Sequence, residues 1–526
     1  MAQQGGHRMG IYFNPNHTDF YNAVNHSQIY VDKTELIQYT NSVLFGEQKY
    51  ICVSRPRRFG KSMAANMLTA YYSRGCDSKE LFQELKIATH PDFEKHLNQY
   101  NVIHLNMQSF LSKTQTIEQM IALVTKAVGR DLLRAYPDID YLDKSILTFM
   151  LDDVYQNYQV PFIFIIDEWD CIFRSRKNQL EEQTKYLDFL RDLLNIALAY
   201  MTGILPIKKY GEHSAINVFY EYSMTDASPI EEFTGFTEQE VRQLCEQYKM
   251  PFSETKKWYD GYCVDGVSIY NPKSVVEAML RGKFNNYWTK TETYEALKVY
   301  IDLNQDGLRD KIVQMIAGET VPVNPDKFQN DMTTFYSADD VLTLLVHLGY
   351  LTYDEQNRVI WIPNGEVRQE FINSIEDGGW EPVVQAIHSS EKLLQATLSG
   401  DEETVAELIE QVHQANVSIL KYNDENALSC VISLAYYSAQ KNYTLHREMP
   451  AGKGFADIMF EPNRNCNLPA LIVELKWGHS AEEAVEQIKR KDYLDCLQNY
   501  HGEVLLVGVN YDKEKHHTCK IERVTR

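Results

Sequence analysis

The sequence predicts an α/β protein in which a parallel sheet with a helical lid precedes a mostly helical middle region and a second, C-terminal α/β unit. Three observations predict this. Over roughly the first 200 residues, short apolar runs alternate with segments of helical period, the pattern of strand–helix–strand units. One run, Pro161 to Ile166, contains no polar residue, as a strand buried on both faces of a parallel sheet requires. Beyond about residue 416 a fresh series of strands and helices begins.

A chain of 526 residues exceeds what one hydrophobic core serves, so several units are expected. Hydrophobic residues form 44% and charged residues 24%, a balance suited to folded domains rather than disorder. No window has the apolar length of a membrane span, and the start lacks an apolar signal segment, so the cytosol is the expected location and no membrane partner is expected. The nine cysteines include no CxxC pair and no zinc spacing, and read as reduced thiols in a reducing compartment. The net charge of −21 argues against nucleic acid as a partner of the whole surface. Its distribution qualifies that: from Lys421 to Arg526 there are 14 Lys and Arg against 15 Asp and Glu, so the C-terminal segment is nearly neutral.

The elements follow in order. Residues 28–38 change from strand-like alternation to a helical pattern, and Tyr50 to Val53 reads as a short buried strand running into SRPRRFGKS and the helical MAANMLTAYY. Strands are expected at Val102–Met107, at Pro161–Ile166 and near Leu198–Leu205, with an amphipathic helix around Ile117–Leu133. Strand, loop, helix is the setting of a phosphate-binding loop.

The loop from Ser54 to Ser62 ends in Gly60-Lys61-Ser62. Gly60 lets backbone N–H groups approach phosphate, Lys61 neutralises its charge and the Ser62 hydroxyl binds Mg²⁺. The first glycine usual in such loops would fall at Arg55, a departure in the loop's path. The Pro161–Ile166 strand ends in Asp167-Glu168: Asp167 is the candidate Mg²⁺ ligand, and Glu168 the group that polarises the attacking water. Arg57 and Arg58 either contact phosphate or a neighbouring segment, or form a solvated pair. Thr202, at the end of the later strand, is either a sensor of the γ-phosphate or a satisfied core hydroxyl.

From about Glu231 the pattern turns helical, with Thr237 and Glu240 forming a capping box, and the aromatic-rich stretch to about residue 300 reads as a lid. A helix at Ser337–Leu348, two short strands in YLTYDEQNRVIWIP and a helix capped by Asn364 suggest a winged-helix-like unit. A helical stretch from Trp380 to His413 precedes the last unit. There, Leu420–Tyr437 reads as a helix, Asp457–Phe460 and Leu471–Leu475 as strands, Ala481–Asp495 as a helix and Val504–Val509 as a strand.

In that unit Asp457 follows a glycine-containing turn, and Glu474 and Lys476 share one face at the end of the strand LIVELK. Two carboxylates at neighbouring strand ends can hold Mg²⁺ or Mn²⁺, and the lysine can orient water and offset developing charge. Gln487 follows on a helix and Glu425 precedes on another, with Asp424 as its competitor. This is the order of a PD-(D/E)xK nuclease core. Lys489, Arg490, Lys491, Lys513, Lys515 and Lys520 either contact nucleic-acid phosphates or are solvated.

The strings YVDKTELI, RPRRFGKS, IIDEWD, TGILPI, FTGFTEQEV and WYDGY…YNPKSVV resemble the bacterial AAA-ATPase-like family that carries a C-terminal PD-(D/E)xK domain. The patterning divides the chain into a first domain over 10–230, a helical lid over 231–300, a helical, winged-helix-like connector over 301–415 and a last domain over 416–526, and the resemblance implies that the first is an AAA-type ATPase domain and the last nuclease-like. It implies ATP at Gly60, Lys61, Ser62, Asp167 and Glu168, and a nuclease site at Asp457, Glu474, Lys476 and Gln487, with Glu425 in the matching helix. The partner expected from it is nucleic acid, DNA first, and assembly of identical subunits is compatible with it. A signalling or scaffold ATPase whose last domain binds without cutting is the competing expectation.

Overall fold

The computed structural model describes residues 9–176, 179–193, 196–207, 218–288, 294–303, 306–328, 335–376, 380–416, 425–451, 454–463, 466–491, 500–512 and 516–525. They fall into two compact units: residues 1–292 with 322–367, and residues 293–321 with 368–526.

The first unit is built on a parallel sheet of β1 (Tyr50–Ser54), β2 (Asn101–Asn106), β3 (Phe162–Asp167), β4 (Leu198–Gly203) and β5 (Tyr220–Tyr222), in the order β2-β3-β4-β1-β5. All six residues of β3 are buried, so its apolar run packs on both faces, each large side chain contributing about 1.5–3 kcal/mol. Helix α1 (Lys61–Tyr72) follows β1 and is buried from Ala64 to Tyr72 except for a half-buried Asn66; helix α2 (Ile117–Ala135) carries the predicted amphipathic stripe. The outer edge of β2 is closed by the leader: Phe13 bridges Ile103, and Asp131 accepts hydrogen bonds from the N–H groups of Ile11 and Tyr12 at 2.7 and 2.8 Å.

Residues 28–35 form no strand. Their polar groups are used locally: the Asp32 carboxylate accepts from the Thr34 N–H and hydroxyl, and from the Lys86 N–H, which bends the chain instead of extending it. The strings YVDK and FTEQEV meet here, because Lys33 donates to Glu240 at 2.6 Å. Glu240 is also the closing residue of the Thr237 capping box that starts helix α3 (Glu238–Tyr248).

Beside α3 lies a small antiparallel sheet of β6 (Phe236–Thr237), β7 (Tyr262–Val264) and β8 (Val267–Tyr270). Helix α4 (Ala338–Leu348), with Ser337 as its capping residue, leads into the hairpin β9 (Thr352–Asp354) and β10 (Val359–Trp361), and Asn364 caps the next helix as expected. Gly349 ends α4 at φ +85°, where a Cβ would stand 2.7 Å from Pro56, so the helix end lies directly against the phosphate-type loop.

In the second unit, helices α5 (Glu381–Ser399), α6 (Glu402–Asn416) and α7 (Glu425–Ala435) precede a five-stranded sheet. Its strands are β11 (Tyr443–Ala451), β12 (Gly454–Pro462), β13 (Ala470–Trp477), β14 (Glu503–Tyr511) and β15 (His517–Thr525), in that order. Only β13 and β14 run parallel in this sheet, and the chain between them carries helix α8 (Ala481–Arg490). Helix α8 sits so close to the sheet that a Cβ on Gly508 would meet the Ala481 carbonyl at 2.2 Å.

Between α6 and β15 lies a buried histidine pair, His413 Nδ1 and His517 Nε2, 2.7 Å apart and packed on Tyr511. One nitrogen must donate and the other accept, which suits neutral rings. Burial pushes the His517 imidazole from 6.5 down to about 4, outweighing the attraction of Glu410 and Asp512. The unfolded ring therefore takes a proton first, and stability is lost as pH falls from about 6.5 toward 4. At pH 5 the loss from His517 amounts to about 2 kcal/mol. A denaturation midpoint that drops more between pH 7.5 and 5 for the wild type than for His517→Gln is the expected result.

Candidate functional site

In the first unit the predicted residues converge at the C-terminal ends of β1, β3 and β4, where open parallel sheets bind ligands. Gly60 is the N-cap of α1 at φ +87°, with no atom within 4 Å of where a Cβ would stand and no side chain capping the helix. The start of α1 thus faces open space with its N-terminal dipole uncapped. Lys61 is 5% exposed, and its ammonium donates to the carbonyls of Arg55 and Pro56, both at 2.9 Å. Burial pushes its pKa down, against the pull of Glu168, Asp170 and Asp167.

Asp167 is the focus of the site. Ser62 Oγ donates to its Oδ2 at 2.7 Å, Asn106 Nδ2 to the same oxygen at 3.3 Å, and the buried Thr202 hydroxyl to Oδ1. Thr202 is thus a partner of the candidate metal ligand. Glu168 follows at φ +56°, an uncommon conformation for a residue with a Cβ, and is ion-paired to Arg174. Asn106 was not singled out by sequence; its signal is a polar residue ending β2, in register with Asp167. Arg174 and Asp170 were also missed, although their i, i+4 spacing beside Glu168 is legible.

Arg55, where a glycine was expected, is fully buried. Its Nη1 donates to the carbonyls of Ser54, Tyr222 and Ser223 at 3.0, 2.9 and 2.7 Å, and burial pushes its pKa down to about 10. It ties the loop to β5 from behind. The loop is pinned again at Phe59, whose carbonyl accepts from Gly235 N–H at 2.8 Å and whose ring meets Tyr262 edge-on at 5.1 Å. Arg57 and Arg58 are exposed, Arg58 at φ +67°.

In the second unit Asp457 lies one step beyond the paired Ile458 and Val473, beside Glu474. Asp457 Oδ2 accepts from the Leu475 N–H at 2.7 Å. Glu474 is 1% exposed, and its Oε1 accepts from Lys476 Nζ at 3.1 Å and from Gln487 on α8. Its Oε2 is buried with no hydrogen-bond partner among the described residues. Burial and then the charge of Asp457 push the Glu474 carboxyl up to about 7, against the pull of Lys476. A carboxylate held this way beside a second one fits a divalent cation, whose charge would remove both penalties. Among the described residues no group of three or more His, Cys, Asp or Glu is placed to hold a metal.

Glu425 opens α7, but its side chain lies outside the described residues, as do Asp424, Lys513 and Lys515. Lys489 pairs with Glu486 and Glu522 at 2.9 and 2.7 Å, and Lys520 with Glu402 at 3.0 Å, so these two side chains are engaged with acidic neighbours.

Both sites lie within segments that match known families. Residues 16–211 match the AAA-ATPase-like family, described as a predicted AAA-ATPase, and residues 423–521 match the PD-(D/E)XK nuclease superfamily. The chain joins an AAA-ATPase-like domain to a PD-(D/E)XK nuclease-superfamily domain. The AAA-ATPase-like domain holds Lys61, Ser62 and Asp167, and the nuclease-superfamily domain holds Asp457, Glu474, Lys476 and Gln487. An uncharacterized protein in the vnfD 5′ region of Azotobacter chroococcum mcd 1 is 21% identical over 345 residues, which cover 63% of this chain and 61% of that protein. Two solved structures are distantly similar. The Walker-type ATPase of Pyrococcus abyssi is 12% identical with a TM-score of 0.33, covering 64% of this chain and 94% of its own. The Aeropyrum pernix ORC1 protein, solved in complex with DNA, is 10% identical with a TM-score of 0.26, covering 87% and 96%. Among the described residues no helix is long and apolar enough to cross a membrane, and no disulfide joins the described cysteines.

Proposed function

We propose that the AAA-ATPase-like domain hydrolyses ATP with Mg²⁺ and that the nuclease-superfamily domain cleaves phosphodiester bonds of nucleic acid, DNA first, with Mg²⁺ or Mn²⁺. At the nucleotide site Lys61 leaves the carbonyls of Arg55 and Pro56 for the β- and γ-phosphates. Ser62 and Asp167 hold the ion, and Glu168 takes the proton of the attacking water. Arg57 and Arg58 meet phosphate from the exposed side of the loop, and residues 231–300 serve as the lid.

At the nuclease site Asp457 and Glu474 would hold the metal, which would supply polarisation of the phosphate and activation of water. Lys476 orients that water and offsets charge developing on the phosphate, and Gln487 keeps Glu474 in its rotamer. The observation that carries this reading is the buried, partnerless Oε2 of Glu474 beside Asp457, a costly arrangement without a cation to receive it. We place the protein in the cytosol, in keeping with its thiols, and take the ATP state as the licence for cleavage.

The test is cleavage of supercoiled, linear and single-stranded DNA and of RNA, with Mg²⁺ or Mn²⁺, with and without ATP, beside Lys476→Ala. Cleavage that needs metal, rises with ATP and vanishes in Lys476→Ala is expected. ATP hydrolysis without cleavage of any substrate would move the reading to a scaffold ATPase whose last domain binds without cutting.

A further inference from the structure

Glu168 does not stand alone at the mouth of the nucleotide site. Its backbone is held on both sides: Trp169 N–H donates to the Thr202 carbonyl at 3.0 Å, and the Glu168 carbonyl accepts from Cys171 N–H at 3.1 Å. Its carboxylate is held by Arg174, from the short helix Cys171–Ser175. Arg174 is itself anchored, with Nε 3.1 Å from Asp170 Oδ2 and Nη2 3.4 Å from Asp170 Oδ1. Asp170 is fully buried and fastened to the end of β4, its Oδ2 accepting from the N–H groups of Ile204 and Leu205 at 3.0 and 2.9 Å. A continuous chain of polar contacts therefore runs from the β4 end through Asp170 and Arg174 to Glu168.

We propose that Arg174 is a positioning residue for ATP hydrolysis: anchored on Asp170, it fixes the Glu168 carboxylate relative to Asp167 and the start of α1. The inference rests on the reading that Glu168 activates the attacking water. A glutamate has three freely rotating side-chain bonds, and a base that must meet a water at one point loses rate when it wanders. Arginine suits the task because its planar fork meets two carboxylates at once, whereas a lysine ammonium is a point charge on a flexible stem. Glu168 and Arg174 side chains are 24% and 15% exposed, so the pair stands at the site's surface, where orientation matters more than core packing.

The experiment is a double-mutant cycle of Arg174→Gln and Glu168→Gln in the full chain. It is read as single-turnover ATP hydrolysis, with Kd for a fluorescent Mg²⁺–ATP analogue and Tm recorded alongside. Arg174→Gln is expected to lower the hydrolysis rate about tenfold with Kd changed less than about twofold, and Arg174→Lys to recover part of the loss. In the Glu168→Gln background the same change is expected to cost less than about twofold, because the group it positions is gone. If Arg174→Gln lowers Tm sharply, the pair Asp170→Asn with Arg174→Gln removes the buried charge left behind and is expected to show the same tenfold loss. A full tenfold loss persisting in the Glu168→Gln background, or a large rise in Kd marking Arg174 as a phosphate ligand, overturns the proposal. Glu168→Gln hydrolysing at the wild-type rate overturns the reading of Glu168 instead.

Discussion

Glu474→Gln is expected to reduce metal-dependent cleavage about 10³-fold and to abolish the rise in Tm that Mn²⁺ gives the wild type, while leaving the metal-free protein at least as stable at pH 8. The three outcomes share one cause. A carboxylate that is 1% exposed, with one oxygen lacking a partner and Asp457 alongside, is an unfavourable charge until a cation arrives. The sign follows from linkage: the folded carboxyl holds its proton up to about pH 7 and the unfolded one only to about 4.5. Stability contributed by the protonated form is therefore full below pH 4.5 and lost as pH rises through 7, by about 3 kcal/mol.

The amide carries no such penalty and keeps an oxygen for Gln487 and Lys476, but its NH₂ cannot ligate a divalent ion. Differential scanning fluorimetry at pH 8, with and without Mn²⁺, reads binding independently of activity. A Glu474→Gln protein that keeps the Mn²⁺ shift would remove Glu474 from the metal site. An unshifted wild type would remove the metal from this domain.

Sequence patterning exposed the parts of the molecule whose burial is extreme. The strand β3 was legible because all six residues are covered, and α3 and α4 because their caps are local motifs needing no tertiary partner. The outer strands β11 and β15 were not legible. In β15 most side chains are only half buried, so the alternation that marks a strand is faint, and its pairing with β14 defines it. The chemistry divides the same way. Lys61, Ser62, Asp167, Glu474 and Lys476 sit in contiguous strings whose spacing carries the meaning.

Asn106 and Arg174 owe their significance to register and to a turn, which a linear string does not display. Arg55 inverts its expectation for a related reason. A missing glycine suggests a loop with a different path, and the buried side chain standing there holds three backbone carbonyls. Of the change from strand-like to helical pattern over residues 28–38, the helix forms from Leu36, while the strand-like start does not pair because Asp32 and Thr34 offer the backbone a closer partner.

Lys61→Met should weaken binding of a Mg²⁺–ATP analogue about 10²-fold and cut hydrolysis about 10³-fold, with Tm nearly unchanged. The large functional loss follows from where the ammonium stands. It is covered by the loop, at the start of a helix whose first turn no side chain caps, and it is the lysine through which the charge of bound phosphates would be met. The small structural cost follows from the same burial. Its pKa is pushed down because desolvation outweighs the attraction of Glu168, Asp170 and Asp167, so the charge is held in the free protein at a cost that a methionine of similar length does not carry. Against that saving stand the two hydrogen bonds to the Arg55 and Pro56 carbonyls, worth about 1 kcal/mol each. The two terms have opposite signs. Isothermal titration with the analogue and a melting curve separate them, and a Lys61→Met protein that binds nucleotide normally would place the phosphates elsewhere. If ATP licenses cleavage, the same variant loses the ATP-dependent part of DNA cutting while its Asp457–Glu474 site still binds Mn²⁺. Unchanged cleavage would make the AAA-ATPase-like domain a passive companion of the nuclease.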